Sequence, residues 1–147
     1  MEELINKLLP NVVNKIPELG KSIVDTFYMI GISGAISFIF GLILGIILVV
    51  TKKGNILENK IIFNVLDKVV NIFRSIPFII LLAAAIPLTR VIVGTAVGTK
   101  GALVPLVIGT VPFFTRQIES ALSELDNGLI EAAQSMGSSP VEIIFRV

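Results

Sequence analysis

The feature that most constrains this chain is one uncharged run, Thr26 to Thr51, reading "TFYMIGISGAISFIFGLILGIILVVT". A helix rises about 1.5 Å per residue, so its core of ~24 residues reaches roughly 36 Å, enough to cross ~30 Å of hydrocarbon with some tilt. The run is read as a first transmembrane helix over 26–51. It is far longer than a signal-peptide core and has no small-residue cleavage site after it, so it is expected to be retained. Gly34, Ser37, Gly41 and Gly45 recur within it at three- and four-residue steps, and Gly41 to Gly45 is a G-x-x-x-G. One face is thereby stripped of bulk, a seam on which another helix can pack closely.

Composition places the rest in the same class. Of the 147 residues 54% are hydrophobic and only 16% are charged, and the mean hydropathy is +0.92, well to the apolar side of a soluble domain. With 12 Lys and Arg against 11 Asp and Glu, no attraction to nucleic acid is implied. The chain has no Cys and no His, which excludes disulfides, thiolate or imidazole metal sites and Ser-His or Cys-His nucleophiles. Between Thr26 and Thr115 the only carboxylates are Glu58 and Asp67, too few for intramembrane acid-base chemistry. Neither an enzyme nor a cofactor site is expected.

A second apolar segment, "VVNIFRSIPFIILLAAAIPL", begins at Val69 and is read as a helix over about 69–89. Its one charge, Arg74, lies near its start and either extends to the head groups or, with Asn71 and Asp67 at helical spacing, helps hold a partner or a gate. A third helix is expected over about 101–117, where Pro105, Gly109 and Pro112 interrupt the apolar run. Such irregularity survives in lipid only against protein or a water-filled cavity, so this helix should face other helices, and its prolines are candidates for a solute pathway. The intervening "TRVIVGTAVGTK" is not a phosphate loop: Gly94 and Gly98 are one residue too close, and Thr99 stands where Lys is needed. It is read as a short exposed connection.

Positive charges give an orientation. Lys52, Lys53, Lys60, Lys68, Arg74, Arg116 and Arg146 fall on one side, and Lys7, Lys15, Lys21, Arg90 and Lys100 on the other. The excess places the 51–74 loop and the tail in the cytoplasm and the N-terminus outside. Residues 1–25, broken by Pro10 and Pro17, are expected to form short interfacial helical pieces.

The last twenty residues, "GLIEAAQSMGSSPVEIIFRV", are of another kind. Asp126 or Asn127 can cap a helix whose Leu129, Ala132, Ala133 and Met136 form an apolar stripe. Gly137 suits a helix stop, and Ser139-Pro140-Val141-Glu142 is a capping box with Pro at the first helical position. Val141, Ile144 and Phe145 fall on one side of the second helix. From Glu124 to Phe145 there is no Lys or Arg, so the hairpin lacks the basic face of a lipid-bound helix and is expected to enter a groove on a soluble partner.

"EAAQSMG" is similar to the E-A-A-x-x-x-G signature of the permease subunits of ABC importers. "VVNIFRSIPFIILL", "IPLTRVIVGTAVG" and "GLIEAAQSMGSSPVEI" further resemble the permeases of bacterial methionine importers, from about Asp25 onward. The resemblance implies an all-α, polytopic protein of the bacterial inner (plasma) membrane: a single permease domain over 1–147, with three transmembrane helices and a cytoplasmic coupling helix in a loop over about 126–147. It implies a non-enzymatic subunit that moves D- or L-methionine. Its partners would be an ABC ATPase dimer that hydrolyses ATP, a second permease copy, an extracytoplasmic methionine-binding lipoprotein and membrane lipid. Glu131, Ala132, Ala133 and Gly137 would be the ATPase-coupling residues. In the family two more membrane helices follow this loop, so the chain is expected to be a permease cut inside it. The alternatives are an importer of another amino acid or small solute and a non-transporting membrane-protein remnant.

Overall fold

The structure is a computed structural model that describes residues 15–146. Of the interfacial pieces expected over 1–25, those within 1–14, and Lys7 of the charge count, lie outside the described residues, while 16–25 are instead the start of one long helix. Among the described residues six helices follow in order: α1 (Ile16–Thr51), α2 (Lys60–Ser75), α3 (Phe78–Val93), α4 (Gly98–Ser123), α5 (Asn127–Ser135) and α6 (Pro140–Arg146). Among the described residues, α1 and α4 are each long and apolar enough to cross a bilayer, and α2 with α3 adds a third crossing if the bent pair is one span.

The helix bounds differ from the apolar runs in three instructive ways. α1 begins ten residues before the uncharged run, because Pro17 sits in its first turn, where a missing N–H costs nothing. Pro17 thus opens the helix rather than breaking it. Residues 69–89 are not one helix: Ile76 takes an extended conformation (φ −78°, ψ 123°), as the residue before a proline is pushed to do, and α2 and α3 meet there at a 108° bend. Apolar continuity hid that break. α4 runs past 117 to Ser123, since leaving the lipid does not end a helix whose polar residues are ordinary helix formers.

The connection after α1 is tightly tied. The Asn55 side chain and the N–H groups of Leu57 and Asn59 donate to the carbonyls of Val49, Val50 and Thr51, so the last turn of α1 keeps its acceptors paired. Asn59 then caps α2, accepting from the N–H groups of Ile61 and Ile62 at 3.1 Å each.

α4 is the central element, packing chiefly along α1 and then against α3 and α2. The residues of α1 buried in that seam are Ser33, Ser37, Gly41, Gly45 and Leu48. A Cβ on Gly41 would lie 2.5 Å from the Cβ of Phe114, and one on Gly45 would lie 2.7 Å from Cγ2 of Ile118. Gly34, expected in the seam, faces open space instead; Ser33 occupies the register, one turn before Ser37. Ser37 donates across the seam to the carbonyl of Val107 at 3.4 Å. The buried hydroxyls of Thr51, Thr89 and Thr115 donate to carbonyls one turn back in their own helices, so none enters the apolar interior unpaired. Large apolar side chains such as Phe27, Ile30, Ile79 and Val91 are exposed along α1 and α3, as on a surface meant for lipid or further helices.

Candidate coupling site

The end of α4 turns directly into the hairpin of α5 and α6. Asp126 caps α5, its carboxylate accepting from the Gly128 N–H at 2.9 Å. α5 stops at Gly137, whose φ of +82° is the left-handed region. The N–H of Gly137 reaches the carbonyl of Gln134 and that of Ser138 reaches Ala133, a Schellman ending that leaves few carbonyls of this short helix unpaired. α6 begins one residue after Ser139. The Glu142 carboxylate accepts from the Ser139 N–H at 2.8 Å and from its hydroxyl at 2.9 Å, while the Glu142 N–H donates back to Ser139 Oγ. These bonds hold the Glu142 carboxyl below the usual glutamate range, the backbone donor contributing most.

The hairpin divides its apolar residues differently from the sequence periodicity. Ala133 is 4% exposed and Ile143 is buried, and Ile143 with Ile130 and Ile144 faces the body of the protein. Ile130, Ile143 and Ile144 close an apolar cavity of about 280 Å³ with Leu42, Ile46 and Val49 of α1, Leu122 of α4 and Leu125 just beyond it. Leu129, Val141, Met136 at 80% and Phe145 at 83% remain exposed. The expected stripes are therefore split, because each short helix must both sit on the bundle and present a second face. Of the residues read as coupling residues, Glu131 and Ala132 are exposed, Ala133 is buried, and Gly137 is the exposed turn.

Arg74 does not join Asp67 and Asn71. It is exposed and, among the described residues, makes no hydrogen bond, lining instead a cavity of about 200 Å³ at the α2–α3 break with Ile76, Phe78, Gly109 and Phe113. The cation held by Asp67 and Asn71 is Arg116 of α4. Its Nη2 pairs with the Asp67 carboxylate and donates to Asn71 Oδ1 at 3.0 Å, and its Nη1 pairs with Glu119. The polar face of α2 was visible in sequence; the partner forty-five residues away was not. Pro105 and Pro112 are both buried in α4, and Pro112 lines a small cavity with Phe40, Leu44 and Phe73.

Long apolar helices joined to a short hairpin, with no strand among the described residues, define an all-helical membrane protein. Residues 37–147 match the family of binding-protein-dependent transport system inner membrane components, and the chain belongs to that family. It is 54% identical to the probable D-methionine transport system permease protein MetI of Vibrio cholerae serotype O1, over 84% of this chain and 55% of that protein. It is 46% identical to the methionine import system permease protein MetP of Bacillus subtilis strain 168, over 98% of this chain and 64% of that protein. A solved chain of the MetNI methionine ABC transporter in an inward-facing conformation superposes with a TM-score of 0.89 at 45% identity, over 91% of this chain and 62% of that one. The resemblance legible in the sequence is thus shown at the level of family, all-helical fold and membrane location. The chain spans little more than half to under two thirds of the length of these relatives.

Proposed function

We propose that this chain forms part of a permease that carries methionine, as the D or L isomer, into the cell at the expense of ATP hydrolysed by a partner subunit. The permease itself is not an enzyme in this reading. It works as a homodimer and receives its solute from an extracytoplasmic methionine-binding lipoprotein. The observation that carries the proposal is the hairpin: Glu131 and Ala132 stand outward on α5, while Ala133 is buried and Ile143 faces an apolar cavity lined by α1 and α4. An outward-facing helix with exposed Leu129, Met136, Val141 and Phe145 around it suits a groove on a second protein. Family relatives that carry methionine transport in their names supply the solute class.

In this mechanism the partner ATPases draw two hairpins together on binding ATP, and the membrane helices switch between packed arrangements rather than deforming smoothly. The pathway is assigned to the region of the α2–α3 break, where Arg74 borders a cavity and the buried Pro105 and Pro112 interrupt α4. Broken helices of this kind commonly line solute sites in transporters.

The test is Gly137→Val in the assembled importer. A β-branched residue at φ +82° is strained by about 1–2 kcal/mol or more, so the α5–α6 angle shifts. ATPase-coupled uptake of labelled methionine is expected to fall well below that of the unaltered protein, with docking of the solute-binding protein retained. Unchanged uptake would remove the coupling role from this turn, and competition by solutes other than methionine would redirect the substrate assignment.

A further inference from the structure

The arginine in the α2–α4 seam does more than neutralise charge. Arg116 lies on α4, its side chain 18% exposed, with Asp67 and Asn71 of α2 on one side and Glu119 of its own helix on the other. Nη2 also reaches the Asp67 carbonyl at 3.4 Å, so α2 is gripped at both side chain and backbone. Nε is buried and lacks a partner among the described residues. The fork is therefore oriented by its two Nη groups alone, and a guanidinium held this way has one register in which all its acceptors are met.

By contrast, α3 meets α4 through apolar contacts, Phe78 and Leu81 lying over Gly109. Apolar faces can slide by small steps, whereas a partly buried ion pair resists separation, because parting it leaves charges unpaired away from water. The joint between α2 and α3 is Ile76 and Pro77, both outside helical geometry. Such non-helical positions at element ends are where a hinge absorbs changes in φ and ψ.

We infer that Arg116 is a positioning residue for coupling: it locks α2 to α4, so that motion at the α5–α6 hairpin carries α2 along with α4 and is taken up at Ile76–Pro77, where α3 shifts. The inference rests on the proposed permease function and adds to it a residue and a hinge. Only Glu124 to Asp126 separate the end of α4 from the start of α5. A displacement of the hairpin therefore acts on the α4 segment that holds Arg116.

The experiment measures two distances and one ratio in the assembled importer. The chain has no cysteine, so spin labels on introduced cysteines at Lys68 and Ser120 report α2 against α4, and labels at Leu88 and Ser120 report α3 against α4. On binding a non-hydrolysable ATP analogue, the first distance should stay fixed while the second changes. Arg116→Gln is expected to broaden the first distance and to lower methionine transported per ATP hydrolysed by about fivefold or more, within the usual range of coupling effects. A purely structural role would reduce the amount of complex recovered without altering that ratio. If Arg116→Gln does not assemble, Asn71→Ala, which removes one exposed acceptor, should lower the ratio in the same direction by a smaller factor.

An unaltered ratio in whichever variant assembles overturns the inference, as does a 68–120 distance in the unaltered protein that changes as much as the 88–120 distance. Absence of ATP-driven uptake by the unaltered complex overturns the functional reading, and this inference with it. Uptake that persists with the ratio unaltered overturns the inference alone.

Discussion

A methyl group added at position 41 has no space to occupy, since it would stand 2.5 Å from the Cβ of Phe114 and 3.1 Å from the backbone of Thr115. One added at position 34 meets nothing within 4 Å. The two glycines look alike in sequence, and their contrast is measurable. Gly41→Ala is expected to destabilise by about 1–3 kcal/mol through overpacking of the α1–α4 seam. Gly34→Ala should be neutral or stabilising by up to about 1 kcal/mol, as alanine is the better helix former. Denaturation in detergent, followed by helical circular dichroism, compares the two; equal effects would mean that the seam does not run through Gly41. The spacing of small residues showed that a seam exists and named Ser37, Gly41 and Gly45. Choosing Ser33 over Gly34 required knowing which face α4 occupies. Arg116 was less legible still, because its acceptors Asp67 and Asn71 lie on another helix and no local periodicity links them.

At the scale of the element, the hairpin was the most readable part of the chain, since its caps depend on residues within five positions of one another. Asp126, Gly137 and the Ser139–Glu142 pair all act as their spacing implies. The capping box also has a pH signature. Hydrogen bonds to the Glu142 carboxylate hold its folded-state pKa below the unfolded one, so their contribution to α6 is present above the ordinary glutamate range. It is lost as pH falls through the lower folded value. Amide NMR of Ser139 during acid titration should show a transition below the usual glutamate range, and Ser139→Ala, which removes the hydroxyl but keeps the larger backbone N–H contribution, should move the Glu142 titration only part of the way back up to it. A transition at the ordinary value in the unaltered protein would show that the box is not formed. What the hairpin's own sequence did not reveal is which apolar residues face inward. Ile130, Ile143 and Ile144 were selected by the groove that α1 and α4 offer, not by the periodicity of α5 or α6.

For the molecule as a whole, the order of segments and the bias of Lys and Arg imply that the hairpin and the 52–59 connection share the cytoplasmic side while the α3–α4 connection lies outside. Single cysteines at Ser135 and Thr95, introduced into this cysteine-free chain, should label from opposite sides of intact cells. Ser135→Cys is expected to react only after the membrane is permeabilised and Thr95→Cys from outside without it. The reverse pattern would invert the topology and separate the hairpin from any cytoplasmic ATPase. The exposed apolar faces of α1 and α3 belong to the same scale, because a bundle this open needs lipid or further helices to cover it.

By itself the sequence determined the solvent, the helical class, the caps of the hairpin and the family, since these follow from local composition, from spacing within a turn or two, or from motif residues read in order. Only the tertiary structure decided that Pro77 divides the second apolar run at 108°, that Ser33 rather than Gly34 joins the seam, and that Arg116 rather than Arg74 is the cation for Asp67 and Asn71. Each of those depends on which surface a distant helix presents. In lipid, where apolar side chains gain little by meeting one another, close backbone approach and buried polar pairs settle that choice.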